Sequence, residues 1–138
     1  QTCALPILKR TTGFEKDTRI KFVGTVYNQV LLKYIRENAF AYIHGHEVGG
    51  TNPSLLEALS STKLNLLLDI GFNREVGEDS GIYWKKNNLA NIINDLENNY
   101  EKYFINQRKS IKIIKEKFSW NCIINKYEFI LLENGEKK

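Results

Sequence analysis

The residues best suited to chemistry lie in one glycine-rich segment of the chain. His44 and His46 stand one residue apart, Gly49 and Gly50 follow them, and Glu57 comes seven positions after Gly50. Adjacent glycines let a backbone approach a ligand closely, and a helix that begins beyond them favours an anion such as phosphate or diphosphate. A carboxylate one turn inside that helix, at Glu57, can accept hydrogen bonds from ligand hydroxyls. The same pattern also fits an ordinary glycine-rich loop followed by a solvated glutamate, so both interpretations stay open.

His44, His46 and Glu47 also raise the question of a metal site. Imidazoles and carboxylates are common zinc ligands, but a structural site needs four ligands, and the nearby sequence offers no further histidine or cysteine. We therefore favour the simpler interpretation, in which the two histidines line the edge of a cleft at a strand end. We expect neither a metal nor another cofactor at this site.

The segments around these residues alternate between strand and helix patterns. Strands that are apolar on both faces indicate a parallel sheet with helices on both faces, so the expected fold class is α/β and Rossmann-like. Asn28 and Asn52 are the expected N-caps of two helices, and Pro53 suits the first helical position. The predicted strands are 19–24, 39–43, 64–69 and 81–84, and the predicted helices are 28–38 and one that begins at Pro53.

The later part of the chain has helical patterns. Amphipathic helices are predicted from Leu89 and over 103–118, and a last helix with Trp120 as its expected core anchor precedes a polar tail at 133–138. Residues 73–76 are expected to start a helix, with a cleft residue there as the alternative. A lysine stripe on the middle helix is interpreted as a solvated face, with contact to anionic membrane lipid as the alternative. The stripe comprises Lys109, Lys112, Lys115 and Lys117.

Composition bounds the class of protein. The 138 residues are 42% hydrophobic and 26% charged, which excludes an intrinsically disordered chain. No apolar run approaches the ~20 residues of a membrane-spanning helix, and we find no signal-peptide pattern. We therefore expect a cytoplasmic protein, at most peripheral at the inner face of the cell membrane. Each half of the chain has two more basic than acidic residues, a dispersed charge that does not indicate nucleic-acid binding. Cys3 and Cys122 form neither a disulfide framework nor a zinc site.

The start of the chain carries a separate signal. Residues 1–7 match the translation of a common sequencing-adapter end, and the chain contains no methionine. We interpret residues 1–7 as adapter-derived and residues 8–132 as a partial domain of a longer protein; the alternative is a natural loop that happens to match. An incomplete parallel sheet leaves a strand edge and helix faces uncovered, so we expect the chain to be poorly soluble and inactive by itself.

The segment from about Arg19 to Leu132 resembles the donor-binding half of family 4 glycosyltransferases. The resemblance rests on Phe-Val-Gly at 22–24 followed by a helix, an apolar strand and a loop, on PSLLEAL at 53–59, and on Phe-Ser-Trp at 118–120. Within that family, GHEVGGTNPSLLEA at 45–58 is similar to the signature of bacterial rhamnosyltransferases that build capsule and O-antigen repeat units. The resemblance implies the C-terminal half of a GT-B fold, incomplete at its N-terminus, with a nucleotide-sugar as its ligand.

The resemblance also implies roles for single residues. In the family, two glutamates with seven residues between them frame this loop; the later one holds the nucleoside ribose and corresponds to Glu57, whereas Gly49 takes the place of the earlier one. Glu47 lies two residues too early to replace it. That departure fits a sugar with a different hydroxyl geometry from glucose, such as the L-rhamnose of dTDP-L-rhamnose. The implied donor-binding residues are His46, Gly49, Gly50, Thr51, Asn52 and Glu57.

These implications define the expected function. The chain is expected to be the donor half of a retaining, metal-independent rhamnosyltransferase that acts on a lipid-linked saccharide in cell-surface polysaccharide synthesis. The acceptor domain and the basic residues that stabilise the leaving diphosphate are expected upstream of this segment, and no catalytic residue is assigned within it. The alternative, from a different class, is a non-catalytic Rossmann-like nucleotide-binding module.

Overall fold

The computed structural model describes residues 13–135. They divide into a first compact unit that ends at Ile35 and a second that begins at Arg36. Residues 1–7, which we interpret as adapter-derived, lie outside the described residues. The sheet and the helices packed on it belong to the second unit.

The first unit contains a 3₁₀ turn at Phe14–Lys16 and the start of helix α1, Gln29–Asn38, which continues into the second unit. The side-chain oxygen of Asn28 accepts the Leu31 N–H at 3.0 Å. The N-cap predicted at Asn28 is therefore confirmed.

The strand predicted at 19–24 is wrong, because this run adopts no regular secondary structure. Asp17 organises a turn at its start: the Asp17 carbonyl accepts the Ile20 N–H at 3.0 Å, and the Asp17 carboxylate pairs with the Arg19 guanidinium at 2.7 Å. A β-rich run becomes a strand only where a neighbouring strand takes up its backbone hydrogen bonds, and no ladder of the described sheet includes this one. Local hydrogen bonding by an aspartate has replaced the expected strand.

Among the described residues, the sheet consists of three short parallel strands, β1 Tyr42–His44, β2 Asn65–Leu68 and β3 Ile82–Trp84. Their order in space is β1-β2-β3, with Tyr42 opposite Asn65 and Leu66 opposite Ile82. The predicted parallel sheet is confirmed, although β1 begins three residues later and ends one residue later than the predicted run.

Helices connect the strands and follow the last of them. They are α2 Pro53–Ser61, α3 Gly71–Gly77, α4 Leu89–Asn98, α5 Phe104–Lys117 and α6 Trp120–Gly135, with a 3₁₀ turn at Tyr100–Tyr103. Helix α2 begins at Pro53 with Asn52 as its N-cap, as predicted. Helix α3 includes 73–76 but begins already at Gly71, and α6 runs to Gly135, into the segment expected to be a polar tail.

Helices cover both faces of the sheet, as predicted. Successive strand residues point to opposite faces, so Leu66 and Leu68 enter one apolar cluster and Leu67 enters the other. Leu55 of α2 packs in the Leu67 cluster, and Leu96 of α4 packs in the Leu66 cluster. Each fully buried leucine contributes roughly 1.5–3 kcal/mol. The two clusters hold the sheet, and with it the loop ends, in a fixed position.

The connection from α3 to β3 is packed tightly around Tyr83. A Cβ atom at Gly81 would lie 2.8 Å from Leu67 Cδ1 and 2.9 Å from Tyr83 Cζ, and one at Gly77 would collide with the same two side chains. The Tyr83 hydroxyl donates to the Glu78 carbonyl at 2.7 Å, and burial raises the pKa of Tyr83 to about 12. A methyl group at either position therefore forces the side chains of Leu67 and Tyr83 to shift.

Helix α6 leaves much of its apolar surface exposed. Trp120 is 81% exposed, so the core-anchor role predicted for it is wrong. The reason is that α6 packs mainly against α5 and does not reach either apolar cluster of the sheet. Tyr127 and Leu131 are also exposed. None of the helices in the described part of the chain combines the length and apolarity needed to cross a bilayer.

The lysine stripe of α5 is largely engaged with acidic side chains. Lys109 pairs with Asp79 at 2.7 Å, Lys117 pairs with Glu78, and Lys112 lies 3.9 Å from Glu116. These exposed pairs fit the solvated-face interpretation, because their charges are already balanced within the protein.

Candidate functional site

Polar and charged side chains collect where the three strands end. Residues 45–52 follow β1, Asp69 follows β2, and Lys85 and Lys86 follow β3. Because the strands are parallel, their carboxyl ends meet at one edge of the sheet. Ligands of open α/β sheets bind beyond this edge.

The loop after β1 offers backbone hydrogen-bond donors. Gly49 has a φ of 127°, a conformation that side chains disfavour, and a Cβ atom at Gly50 would meet nothing within 4 Å. The N–H groups of Gly49, Gly50 and Thr51 donate no hydrogen bond within the described part of the chain, and all three residues are exposed. The loop therefore presents three consecutive N–H groups that an anion can accept.

The first turn of α2 is closed by its own cap. The Asn52 side-chain oxygen accepts the Ser54 N–H at 2.9 Å, and the Asn52 carbonyl accepts the N–H groups of Leu55 and Leu56 at 3.0 and 3.2 Å. Pro53 has no N–H. The Ser54 N–H is therefore not free to bind an anion, because the N-cap uses it. Helix α2 still contributes the positive end of its dipole.

A buried asparagine fastens the loop to the neighbouring strand. Asn73 of α3 is 4% exposed, and its Nδ2 donates to the Leu68 carbonyl at 2.9 Å and to the His46 carbonyl at 3.3 Å. Asn73 thus bridges the ends of β1 and β2. Sequence reasoning expected a helix start at this position and missed the bridge; the signal for it was an amide side chain on a short helix directly after a buried strand.

Three aromatic side chains form a row along β1 and the loop. Neighbouring rings of Tyr42, His44 and His46 are stacked, with centroids 5.8 Å apart in both pairs. The Tyr42 hydroxyl lies 3.1 Å from His44 Nδ1. His46 is exposed and borders Gly49, since a Cβ atom there would lie 3.9 Å from His46 Nε2. We call this row the Tyr42–His46 ladder.

His44 is the buried member of the ladder. It is 5% exposed, and its Nε2 is buried without a hydrogen-bond partner among the described residues. Burial lowers the pKa of His44, and the neighbouring His46 lowers it further. Burial also raises the pKa of Tyr42. Both side chains are therefore held in their neutral forms at pH 7.

Glu57 is held by an arginine from helix α1. The Arg36 Nη1 atom lies 2.6 Å from Glu57 Oε2, and the side chains are 13% and 46% exposed, respectively. The second carboxylate oxygen, Oε1, is not part of this pair. Glu57 thus has a fixed orientation at the surface, one turn inside α2. No local pattern pointed to Arg36, which stands 21 positions before Glu57 in the sequence.

Glu47 is paired with a lysine from the end of β3. Lys86 Nζ lies 2.5 Å from Glu47 Oε1, and both side chains are mostly exposed. Beside this pair, the Arg74 guanidinium holds the pKa of Asp69 below its usual value through a hydrogen bond, and Lys85 adds to the effect. Basic side chains therefore stand at this edge of the sheet, whereas sequence reasoning expected the basic residues of the site only upstream.

Among the residues described, no group of three or more His, Cys, Asp or Glu side chains is arranged to hold a metal ion. The structure brings His46, Gly49, Gly50, Thr51 and Asn52 together in one loop, with Glu57 one helical turn beyond. Comparisons with protein-family models, with curated proteins and with solved structures found no match.

Proposed function

We propose that this chain is the donor-binding domain of a GT-B glycosyltransferase of the rhamnosyltransferase type, with dTDP-L-rhamnose as its donor. The observation that carries the proposal is the row of three unengaged N–H groups at Gly49, Gly50 and Thr51, immediately before a helix at the carboxyl edge of a parallel sheet. That arrangement suits a diphosphate. The long contiguous resemblance at 45–58 supplies the class of enzyme.

The diphosphate is the part of the donor that these N–H groups recognise. During transfer, the hydroxyl oxygen of the acceptor bonds to the anomeric carbon while the bond from that carbon to the diphosphate oxygen breaks. The bonding electrons stay with the leaving diphosphate, which takes up the proton of the acceptor hydroxyl. Fixed backbone N–H groups stabilise this growing negative charge without rearranging, which lowers the barrier without a metal ion. The dipole of α2 and the lysines after β3 act in the same direction.

Glu57 holds the nucleoside end of the donor. Arg36 fixes one carboxylate oxygen, so the other is oriented to accept a hydrogen bond from a sugar hydroxyl. A deoxyribose offers only its 3′-hydroxyl for this contact. Because Glu57 lies one turn inside α2, the nucleoside sugar and the diphosphate bind to neighbouring parts of the same helix.

The transferred sugar lies beside Gly49 and His46. In a paired-glutamate enzyme a carboxylate would occupy the place of Gly49, whereas here only backbone and an imidazole are present. Glu47 cannot move into that role without giving up Lys86. The absence of a carboxylate at that place supports a sugar other than glucose, and L-rhamnose fits. The acceptor is a lipid-linked saccharide bound by a separate domain, and the reaction retains the anomeric configuration.

Donor binding by the 138-residue chain tests this proposal. Isothermal titration should give tighter binding of dTDP-L-rhamnose than of UDP-glucose. Gly50→Ala places a methyl group where the diphosphate binds, so it should weaken binding at least tenfold. The methyl group contacts no other atom of the protein, so the melting temperature should not fall. Gly71→Ala is the matched control, because its methyl group also meets nothing and should leave binding unchanged.

Unchanged affinity in Gly50→Ala, or equal affinity for both donors, would contradict the proposal. Binding of dTDP alone, with no gain from the rhamnosyl group and no transfer by a longer form of the protein, would favour the non-catalytic nucleotide-binding module.

A further inference from the structure

The starting observation is the unsatisfied nitrogen of His44. More than nine-tenths of buried polar groups in proteins have a hydrogen-bond partner. Only 5% of the His44 surface is exposed, and its Nε2 has no hydrogen-bond partner in residues 13–135. Thr62 Oγ1 and Asn65 Oδ1 are also buried without a partner in the described part of the chain, but of these three residues only His44 ends a strand and precedes the loop. An unpaired buried nitrogen costs stability, so a ligand that supplies the missing partner is favoured at this place.

The orientation of the ring follows from its neighbours. Tyr42 and His44 alternate with Ile43 and so point to the same face of the sheet, where Tyr42 packs against the Leu55 and Leu59 cluster of α2. His44 therefore lies on the face of the sheet that α2 covers. Because His44 is the last residue of β1, it lies at the carboxyl edge, directly before the loop.

The other neighbour of His44 lies on the loop itself. The His46 ring stacks on the His44 ring and borders Gly49, whose N–H is one of the three unengaged donors. The buried nitrogen and the open N–H row therefore belong to one small region. Gly49 and Gly50 carry no side chains that would keep a ligand away from this region, and their backbone freedom lets the loop settle around a ligand before the chemical step.

We propose that the His44 Nε2–H is a further hydrogen-bond donor to the phosphate anion held by the 49–51 loop, in a tautomer set by the Tyr42 hydroxyl. When that hydroxyl donates to Nδ1, the imidazole proton resides on Nε2. The ring is then neutral and still an anion donor. The inference rests on the proposed function for the identity of the anion as a diphosphate, but the chemistry needs only a phosphate group.

The first experiment is ¹⁵N NMR of the imidazoles in the 138-residue chain, whose two histidines give two ring systems. A His46→Gln variant assigns them. At pH 7.5, His44 should be neutral with its proton on Nε2, and addition of inorganic diphosphate should shift the Nε2 resonance. A proton on Nδ1, a silent His44 resonance in the presence of bound diphosphate, or no diphosphate binding would each overturn the inference.

The second experiment uses a matched pair of variants. Glutamine places its amide near the position of Nε2, and asparagine places its amide near Nδ1. His44→Asn should therefore weaken diphosphate binding about tenfold to a hundredfold, the effect of losing one hydrogen bond to a charged group, while His44→Gln keeps most of it. Tyr42→Phe should reduce affinity and mix the two tautomers in the ¹⁵N spectrum.

Equal affinities of the asparagine and glutamine variants, both folded, would overturn the inference. The outcome for the proposed function is separate. A His44 response to inorganic diphosphate without any preference for dTDP-L-rhamnose would support His44 as an anion donor and count against the glycosyltransferase. Selective binding of dTDP-L-rhamnose without a His44 response would support the glycosyltransferase and count against His44 as an anion donor.

Discussion

At the scale of single residues, Glu57 and Glu47 offer the sharpest comparison. In the role proposed for Glu57, Glu57→Gln removes a charged acceptor for a ligand hydroxyl, a loss of about 1.5–3 kcal/mol, so dTDP-L-rhamnose should bind roughly tenfold to a hundredfold more weakly. It also leaves the mostly buried Arg36 without its partner, so the melting temperature should fall. Glu47→Gln should change both little, because its pair with Lys86 is exposed. Titration calorimetry below the melting transition separates the two effects.

A larger effect of Glu47→Gln than of Glu57→Gln on donor binding would contradict the proposed roles of the two glutamates. If Glu57→Gln binds donor normally and Glu47→Gln does not, the alignment of the paired-glutamate motif is wrong, and Glu47 is the residue that contacts the sugar.

His44 makes stability depend on pH. Its pKa is lower in the folded protein than the ordinary value of 6.5, because burial disfavours the charged imidazole and His46 adds repulsion. The unfolded chain therefore binds more protons, so the stabilisation is complete above about pH 6.5 and declines as the pH falls below that value. Urea midpoints at pH 7.5, 6.5 and 5.5 should decrease in that order. In His44→Gln the urea midpoint should change little between pH 7.5 and 5.5. If the midpoint of the variant still falls with pH, the pH dependence belongs to another titratable group.

The acidic side chains act in a different pH range. The pKa values of Asp69, Asp79 and Asp95 lie below the ordinary 3.8, mainly through hydrogen bonds from Arg74, Lys109 and Tyr103, respectively. Their stabilisation is present above that value and is lost only as the pH falls below it. The histidine effect is therefore measurable separately.

At the scale of elements, the connection between α3 and β3 depends on glycine. Gly81→Ala would push a methyl group against Leu67 and Tyr83, and overpacking of this kind costs about 1–3 kcal/mol. Gly71→Ala should be neutral or slightly stabilising, because its methyl group meets nothing and alanine favours the helix. Urea unfolding of the two variants measures the difference, and similar midpoints would show that Leu67 and Tyr83 move aside without cost.

Elements were predictable from the sequence where burial decides them. The apolar run at β2 was found because all four of its residues are buried. The start of α2 was found from a local signal, the Asn52 N-cap followed by Pro53. The run at 19–24 was missed because its strand pattern depends on a neighbour, whereas the hydrogen bonds of Asp17 are local. Trp120 was misplaced because its size indicates burial, but the packing of α6 is decided by tertiary contacts that the helical pattern does not contain.

At the scale of the whole molecule, the loop of the candidate site was predictable and its supports were not. Paired glycines and an N-cap residue before a proline can be recognised from a few neighbouring residues. Other elements contribute Arg36, Asn73 and Lys86 to the site. Their contacts with it depend on the tertiary fold and cannot be recognised from neighbouring residues in the sequence. The unpaired nitrogen of His44 is likewise visible only once the strand and the helix above it are in place.

The strand order β1-β2-β3 has a consequence for how the molecule is made. Asn65 pairs with Tyr42, which was synthesised 23 positions earlier, and Ile82 pairs with Leu66, 16 positions earlier. Closing such short spans costs little chain entropy, and pairing between near neighbours in sequence speeds folding. Each strand therefore meets its partner as soon as the next crossover has left the ribosome. The three strands can therefore pair during translation, and α5 covers the Leu67 face afterwards, because Ile114 of α5 packs against that cluster.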